Sequence, residues 1–115
     1  MVDESYVPQQ GDLVWITLEP HQGHEQAGRR PALVITPTQY NRIRRLAVML
    51  AITNQAKGGG LEVRLPAGLK TTGVVLVDQI RTLAYRERRA EFIETVPADL
   101  LDEVLGKLNA LFSNE

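Results

Sequence analysis

Short apolar runs alternate along this chain with polar breaks marked by glycine and proline. Asp12 to Leu18 (DLVWITL) is rich in β-branched and aromatic residues, lies between Gly11 and Pro20, and predicts a first strand. Glu19 to Arg29 is a polar loop, and Pro31 to Ile35 predicts a second strand, with the proline tolerated at its start. A turn with a helical piece is expected over Thr36 to Arg45. Leu46 to Thr53 (LAVMLAIT) is apolar nearly throughout, the pattern of a central strand covered on both faces. Asn54 to Gly60 carries three consecutive glycines and reads as a flexible loop. Leu61 to Leu65 (LEVRL) alternates with period two and predicts a strand with one wet face. Val74 to Leu83 and Ala90 to Val96 complete six strands, with a helical turn over Tyr85 to Arg89 between them. Pro97 then opens a different regime. Leu101, Val104, Leu105, Leu108, Leu111 and Phe112 repeat at helical spacing behind acidic Asp99, Asp102 and Glu103, which favour the positive end of a helix dipole. Six strands, a closing helix and no βαβ alternation predict a small, mainly antiparallel β-barrel or half-barrel with a C-terminal α-helix. Trp15, in mid-strand, is expected in the core, with base stacking by Trp15 or Tyr40 as the alternative.

Composition narrows the classes. A chain of 115 residues, 43% hydrophobic, suits a single domain over 1–115 with one core. It contains no cysteine, so disulfides and thiolate chemistry are excluded. No run is long enough to span a membrane and the first ten residues do not resemble a signal peptide, so the expected location is cytoplasmic, with no membrane partner. The net charge of −1 hides a strong pattern. Residues 1–28 hold five acids and no Lys or Arg, residues 29–89 hold twelve Lys and Arg against three acids, and residues 90–115 hold one Lys against six acids. Ten of the thirteen basic residues are arginine, whose planar fork suits phosphate. A polyanionic partner is the functional reading of that basic middle, and a mixed solvated surface is the plain one.

The segments PQQGDLVWITLEPHQGHEQAGRRPALVIT, AITNQAKGG and GVVLVDQIRTL resemble, in order and spacing, the MazF/PemK-like toxins of bacterial toxin–antitoxin systems. The resemblance implies an SH3-like barrel with added short helices and a homodimer. It also implies a metal-independent endoribonuclease (mRNA interferase) that cuts single-stranded RNA at short motifs and so inhibits translation and growth, with no cofactor. The partner it implies is an antitoxin lying across the RNA groove. By charge, the antitoxin's binding segment is expected to be acidic and partly disordered.

Family catalytic positions fall on Glu25, Arg30 and Thr53. Metal-free RNA cleavage needs a base for the 2′-hydroxyl proton, charge stabilisation at the phosphorane and help for the departing 5′-oxygen. Glu25, between Gly23 and Gly28, is the expected base. Arg30 is the expected phosphate clamp, a role that fits its permanent charge better than proton donation. Thr53 would donate its hydroxyl from a strand end. The expected products are 2′,3′-cyclic phosphate and 5′-hydroxyl ends. The plain alternatives are a solvated loop acid, a loop-pinning arginine and an ordinary strand threonine.

His24, Arg29, Asn54, Lys57, Asp78, Gln79 and Arg81 are expected to line the RNA groove, the amides and Asp78 reading base edges and the cations holding phosphate. His24 is also a candidate auxiliary acid or base. His21, His24 and Glu25 lie on one loop without a rigid framework, so no metal site is expected. Arg42, Arg44, Arg45, Arg86, Arg88 and Arg89 read as a diffuse field or part of a dimer surface. The Gly58 to Gly60 run lacks the strand, lysine and helix of a P-loop and is expected to be a mobile hairpin that closes over RNA or is ordered by the antitoxin. Two other functions share this fold: a CcdB-like gyrase poison, which would not need the Glu25, Arg30 and Thr53 set, and an inactive nucleic-acid-binding module.

Overall fold

The computed structural model describes residues 2–18 and 28–115. Its elements are β1 (Asp12–Thr17), β2 (Arg29–Val34), α1 (Thr38–Arg44), β3 (Ala47–Thr53), β4 (Glu62–Arg64), β5 (Val74–Leu83), β6 (Glu91–Thr95) and α2 (Ala98–Leu111). The six strands form one antiparallel sheet in the order β4-β5-β3-β2-β1-β6. Among the described residues no helix is long and apolar enough to cross a membrane.

The sheet is open, so of the expected barrel or half-barrel it is the half-barrel that forms. β4 contributes only three residues, all paired with β5. The two ends of the sheet meet instead through a side chain: the Glu94 carboxylate on β6 accepts the N–H groups of Lys70 (3.0 Å) and Thr71 (2.8 Å) between β4 and β5. Burial works to raise the Glu94 pKa, but these two backbone donors and the nearby Lys70 charge bring it below the usual carboxylate range.

Both faces of the sheet are covered. Leu13, Leu33, Leu50, Ile52, Val75 and Val77 pack on one face with Leu100 and Val104 of α2. Val14, Ile16, Ala32, Val34, Met49 and Leu83 pack on the other with Tyr85 and, from the N-terminal segment, Tyr6 and Val7. This is why β3, third in the sheet, is apolar at both parities. The helix stripe is shorter than its periodicity predicts. Leu101, Leu105 and Leu108 pack against the core, whereas Leu111 and Phe112 are exposed, since the last turn extends past the packed cluster.

Strand β2 also starts earlier than expected. Arg29 and Arg30 sit in the ladder opposite Thr17 and Ile16, so the arginine pair belongs to the sheet rather than to the loop. Trp15 lies opposite Pro31 and Glu91 and is 40% exposed, which corrects its assignment to the core. The neighbouring rungs Leu13–Leu33 and Val14–Ala32 are the ones that α2 and the N-terminal segment cover.

Buried polar groups tie the ends together. Asp12 accepts hydrogen bonds from the Tyr6 hydroxyl (2.5 Å), the Gln9 N–H (3.0 Å) and the Thr95 hydroxyl (3.1 Å). Burial, followed by that hydrogen bond and the Asp12 charge, pushes the Tyr6 pKa up, so its hydroxyl remains a donor. Asn41 on α1 is fully buried and donates to Pro8 O (2.8 Å) and Thr36 O (3.0 Å) while accepting from the Thr36 hydroxyl (2.6 Å).

Candidate nucleic-acid interface

The site begins with small residues. Ala32 pairs with Ala51 across β2 and β3, and this pair leaves room above the sheet between bulkier neighbours. The resulting cavity, about 220 Å³, has Ile16, Leu18, Met49 and Leu83 among its apolar walls and Arg30, Thr53, Gln79 and Arg81 among its polar ones. Strand pairing fixes three of these polar groups: Arg30 sits opposite Ile16, Thr53 opposite Val74 and Arg81 opposite Met49.

Gln79 arrives by an irregularity in β5. Between the Val75–Ile52 and Ile80–Leu50 rungs β3 advances two residues while β5 advances five. β5 therefore carries three surplus residues and bulges, a feature that re-aims side chains beside functional sites. Leu76, Asp78 and Gln79 come from this bulge to line a second cavity of about 570 Å³, together with Thr53, Gln55 and Lys57. Thr53, Leu76 and Gln79 line both cavities, which makes them adjoining halves of one groove.

Close packing sets the Thr53 end. Gly73 has φ +111°, and a Cβ there would lie 2.3 Å from Thr53 O, so only glycine lets the start of β5 approach the end of β3. The Thr53 hydroxyl oxygen accepts the Gln55 N–H (3.1 Å), which directs the O–H hydrogen elsewhere. Beyond it, Glu62 accepts the Lys57 N–H (2.9 Å) and the Gly58 N–H (2.9 Å), and Lys107 of α2 donates to Gly60 O (3.0 Å). The backbone donors of Lys57 and then Gly58 hold the Glu62 carboxyl below its usual pKa. The glycine loop is thus tied at both ends by side chains from a strand and a helix.

Of the sequence candidates, Arg30, Thr53, Gln79 and Arg81 meet at the first cavity and Lys57 and Asp78 at the second. Arg29 and Asn54 are placed differently. The Arg29 guanidinium bonds the Thr17 hydroxyl (2.9 Å), Arg89 O (2.7 Å) and the Glu91 carboxylate (3.1 Å), against a third cavity lined by Trp15, Arg29, Arg30, Pro31 and Glu91. The Asn54 side chain accepts the Thr72 hydroxyl (2.9 Å) and lines neither half of the groove. Glu25, His21 and His24 lie outside the described residues. Sequence reading missed Gln55 and Leu76, although Gln55 follows Thr53 by the two residues that its backbone bond requires.

A groove of arginine, lysine, amide and hydroxyl groups on an open antiparallel sheet has the donor chemistry that suits a nucleic-acid backbone. Residues 9–112 match the family of PemK-like, MazF-like toxins of type II toxin–antitoxin systems, and the chain belongs to that family. It is 39% identical over 109 residues to endoribonuclease PemK of Escherichia coli, covering 91% of this chain and 82% of the relative. It is 41% identical over 106 residues to the endoribonuclease toxin MazF of Escherichia coli K12, covering 92% and 95%. Among solved structures, MazF of Deinococcus radiodurans superposes with a TM-score of 0.82 at 52% identity, covering 92% of this chain and 96% of that one. A MazE–MazF crystal structure from the same organism gives a TM-score of 0.84 at 45% identity over 96% and 99%.

Proposed function

We propose that the protein is the toxin of a type II toxin–antitoxin pair and an endoribonuclease that cuts single-stranded RNA without a metal. The observation that carries the site reading is the convergence of Arg30, Thr53, Gln79 and Arg81 from β2, β3 and β5 on one cavity with a floor of small side chains. Such a floor admits a phosphate between flanking donors. Glu25, five residues before Arg30 in the sequence, takes the 2′-hydroxyl proton. The 2′-oxygen attacks phosphorus, and the dianionic phosphorane is held by the Arg30 guanidinium and the Thr53 hydroxyl. The P–O5′ bond breaks and the leaving oxygen takes a proton from water, whose hydroxide is neutralised by the proton that Glu25 accepted, giving 2′,3′-cyclic phosphate and 5′-hydroxyl ends. Asp78, Gln79 and Lys57 face the neighbouring nucleotide in the second half of the groove.

The antitoxin is read as covering this groove with an acidic segment that orders on binding, in the cytoplasm, on a homodimer of the toxin. Its affinity is expected to fall as salt rises, and an affinity indifferent to salt removes the electrostatic part of this reading.

The deciding experiment is cleavage of a long single-stranded RNA in excess EDTA by wild type, Glu25→Ala and Arg30→Ala, with cut ends mapped and their chemistry assigned. Cuts at one short motif with cyclic-phosphate and 5′-hydroxyl ends, lost in both variants, support the proposal. A folded wild type that leaves RNA intact overturns it.

A further inference from the structure

The third cavity has no part in the scheme above, and Trp15 is the residue it leaves unexplained. We propose that Trp15 is a stacking platform for a nucleobase flanking the cleaved phosphate, a binding subsite on the opposite side of β2 from the groove. The inference rests on the ribonuclease reading and extends it. Burying a tryptophan is among the largest apolar contributions available to a small domain, yet Trp15 stays 40% exposed within a strand whose neighbours Val14 and Ile16 are buried.

The surroundings favour a base over a phosphate. The cavity, about 530 Å³, has Pro31 opposite Trp15 in the ladder and the Arg29–Glu91 ion pair beside them. Arg29 is held by the Thr17 hydroxyl, Arg89 O and Glu91, so its charge is offset and its position fixed. A wall made of a tryptophan, a proline and a neutralised, immobilised guanidinium suits a flat aromatic ring, and RNA-binding proteins stack unpaired bases on such groups. The cavity is also connected to the reaction site. Arg30 and Pro31 line both this cavity and the first half of the groove, so the two meet at the start of β2, one on each face of the sheet. An RNA strand whose phosphate is clamped by Arg30 can place its next base over that rim on Trp15.

Trp15 is the only tryptophan of the chain, so it reports its own occupancy. The probe is an RNA bearing the mapped cleavage motif, with a 2′-O-methyl group at the cut position to prevent attack. It is made in three forms: trimmed to the motif, extended by three nucleotides on each side, and extended with abasic nucleotides. Binding is followed by anisotropy of a labelled RNA end and by tryptophan emission. Saturable quenching is expected with the extended RNA and is expected to be absent with the trimmed and abasic forms. Trp15→Leu should weaken the extended RNA by about fivefold to a hundredfold and leave the trimmed RNA unchanged, with Trp15→Phe retaining most of the affinity. Saturation by extended RNA without quenching, or equal affinity for base-bearing and abasic flanks, overturns the proposal. So does quenching that only a peptide from the antitoxin produces, which would assign the site to the protein partner. The abasic comparison uses wild-type protein and holds even if Trp15→Leu does not fold. Failure of the wild type to cut any RNA would instead overturn the ribonuclease reading.

Discussion

Two adjacent arginines show how far a single rung of a ladder divides otherwise similar side chains. Arg30 is exposed and reaches the groove, whereas Arg29, its chain neighbour, faces the other side and is fixed by three partners. Arg30→Ala is therefore expected to reduce kcat for RNA cleavage by about a hundredfold to a thousandfold, the usual effect of removing one transition-state donor, with an unchanged melting temperature. Arg29→Ala should instead lower unfolding free energy by about 1–2 kcal/mol, measured by urea denaturation. A stability loss from the first, or none from the second, reverses these assignments. Sequence reading made Arg30 the clamp but put Arg29 in the groove beside it, because the division between the two faces depends on where β2 begins. Asn41 was passed over altogether, since an asparagine beside a turn gives no hint that it will be buried. Asn41→Ala leaves Pro8 O, Thr36 O and the Thr36 hydroxyl without this partner, and thermal unfolding should show a loss of about 2–3 kcal/mol.

Elements were legible where hydrophobic pattern alone decides them. The apolar run of β3, the ten residues of β5 and the proline before α2 are all visible in the sequence, and the structure departs from them mainly at the boundaries. What pattern cannot reveal is a mismatch between partners, because the surplus in β5 exists only relative to β3. The glycine loop was likewise read as flexible, and its ties to Glu62 and Lys107 depend on residues from other elements. Glu62 gives that contact a pH signature. Its carboxyl titrates below the ordinary value of 4.5, so the loop bonds persist at neutral pH and are lost as pH falls through the lowered folded pKa. Amide resonances of Lys57 and Gly58 should move together in that acidic window, and Glu62→Gln should remove the transition. Movement at neutral pH instead would mean that another group controls the loop.

At the scale of the whole molecule, the sheet is held in its curl by α2 and by one carboxylate spanning its two ends. The depressed Glu94 pKa means that this contribution is present above the ordinary glutamate range and disappears as pH falls through the folded value. Glu94→Gln should cost about 1 kcal/mol at neutral pH, a modest figure because the contact is largely solvated, and the difference from wild type should vanish in acid. Equal stability at neutral pH would show that α2 alone holds the curl. Charge blocks in the sequence anticipated a basic middle, but folding distributes it: Arg30 and Arg81 reach the groove, Arg88 bonds Leu18 O, and Arg29 pairs with Glu91. Trp15 was misplaced for the same reason, since a strand pattern says that a side chain alternates but not whether anything covers it. The β5 bulge has a consequence for descent. Its surplus residues are not held to β3 rung by rung, so Asp78 and Gln79 can be exchanged without shifting the pairing on either side. If Asp78 and Gln79 read bases as proposed, a lineage of such proteins can drift from one target sequence to another while inheriting the same scaffold, provided that the glycine at 73 stays in place.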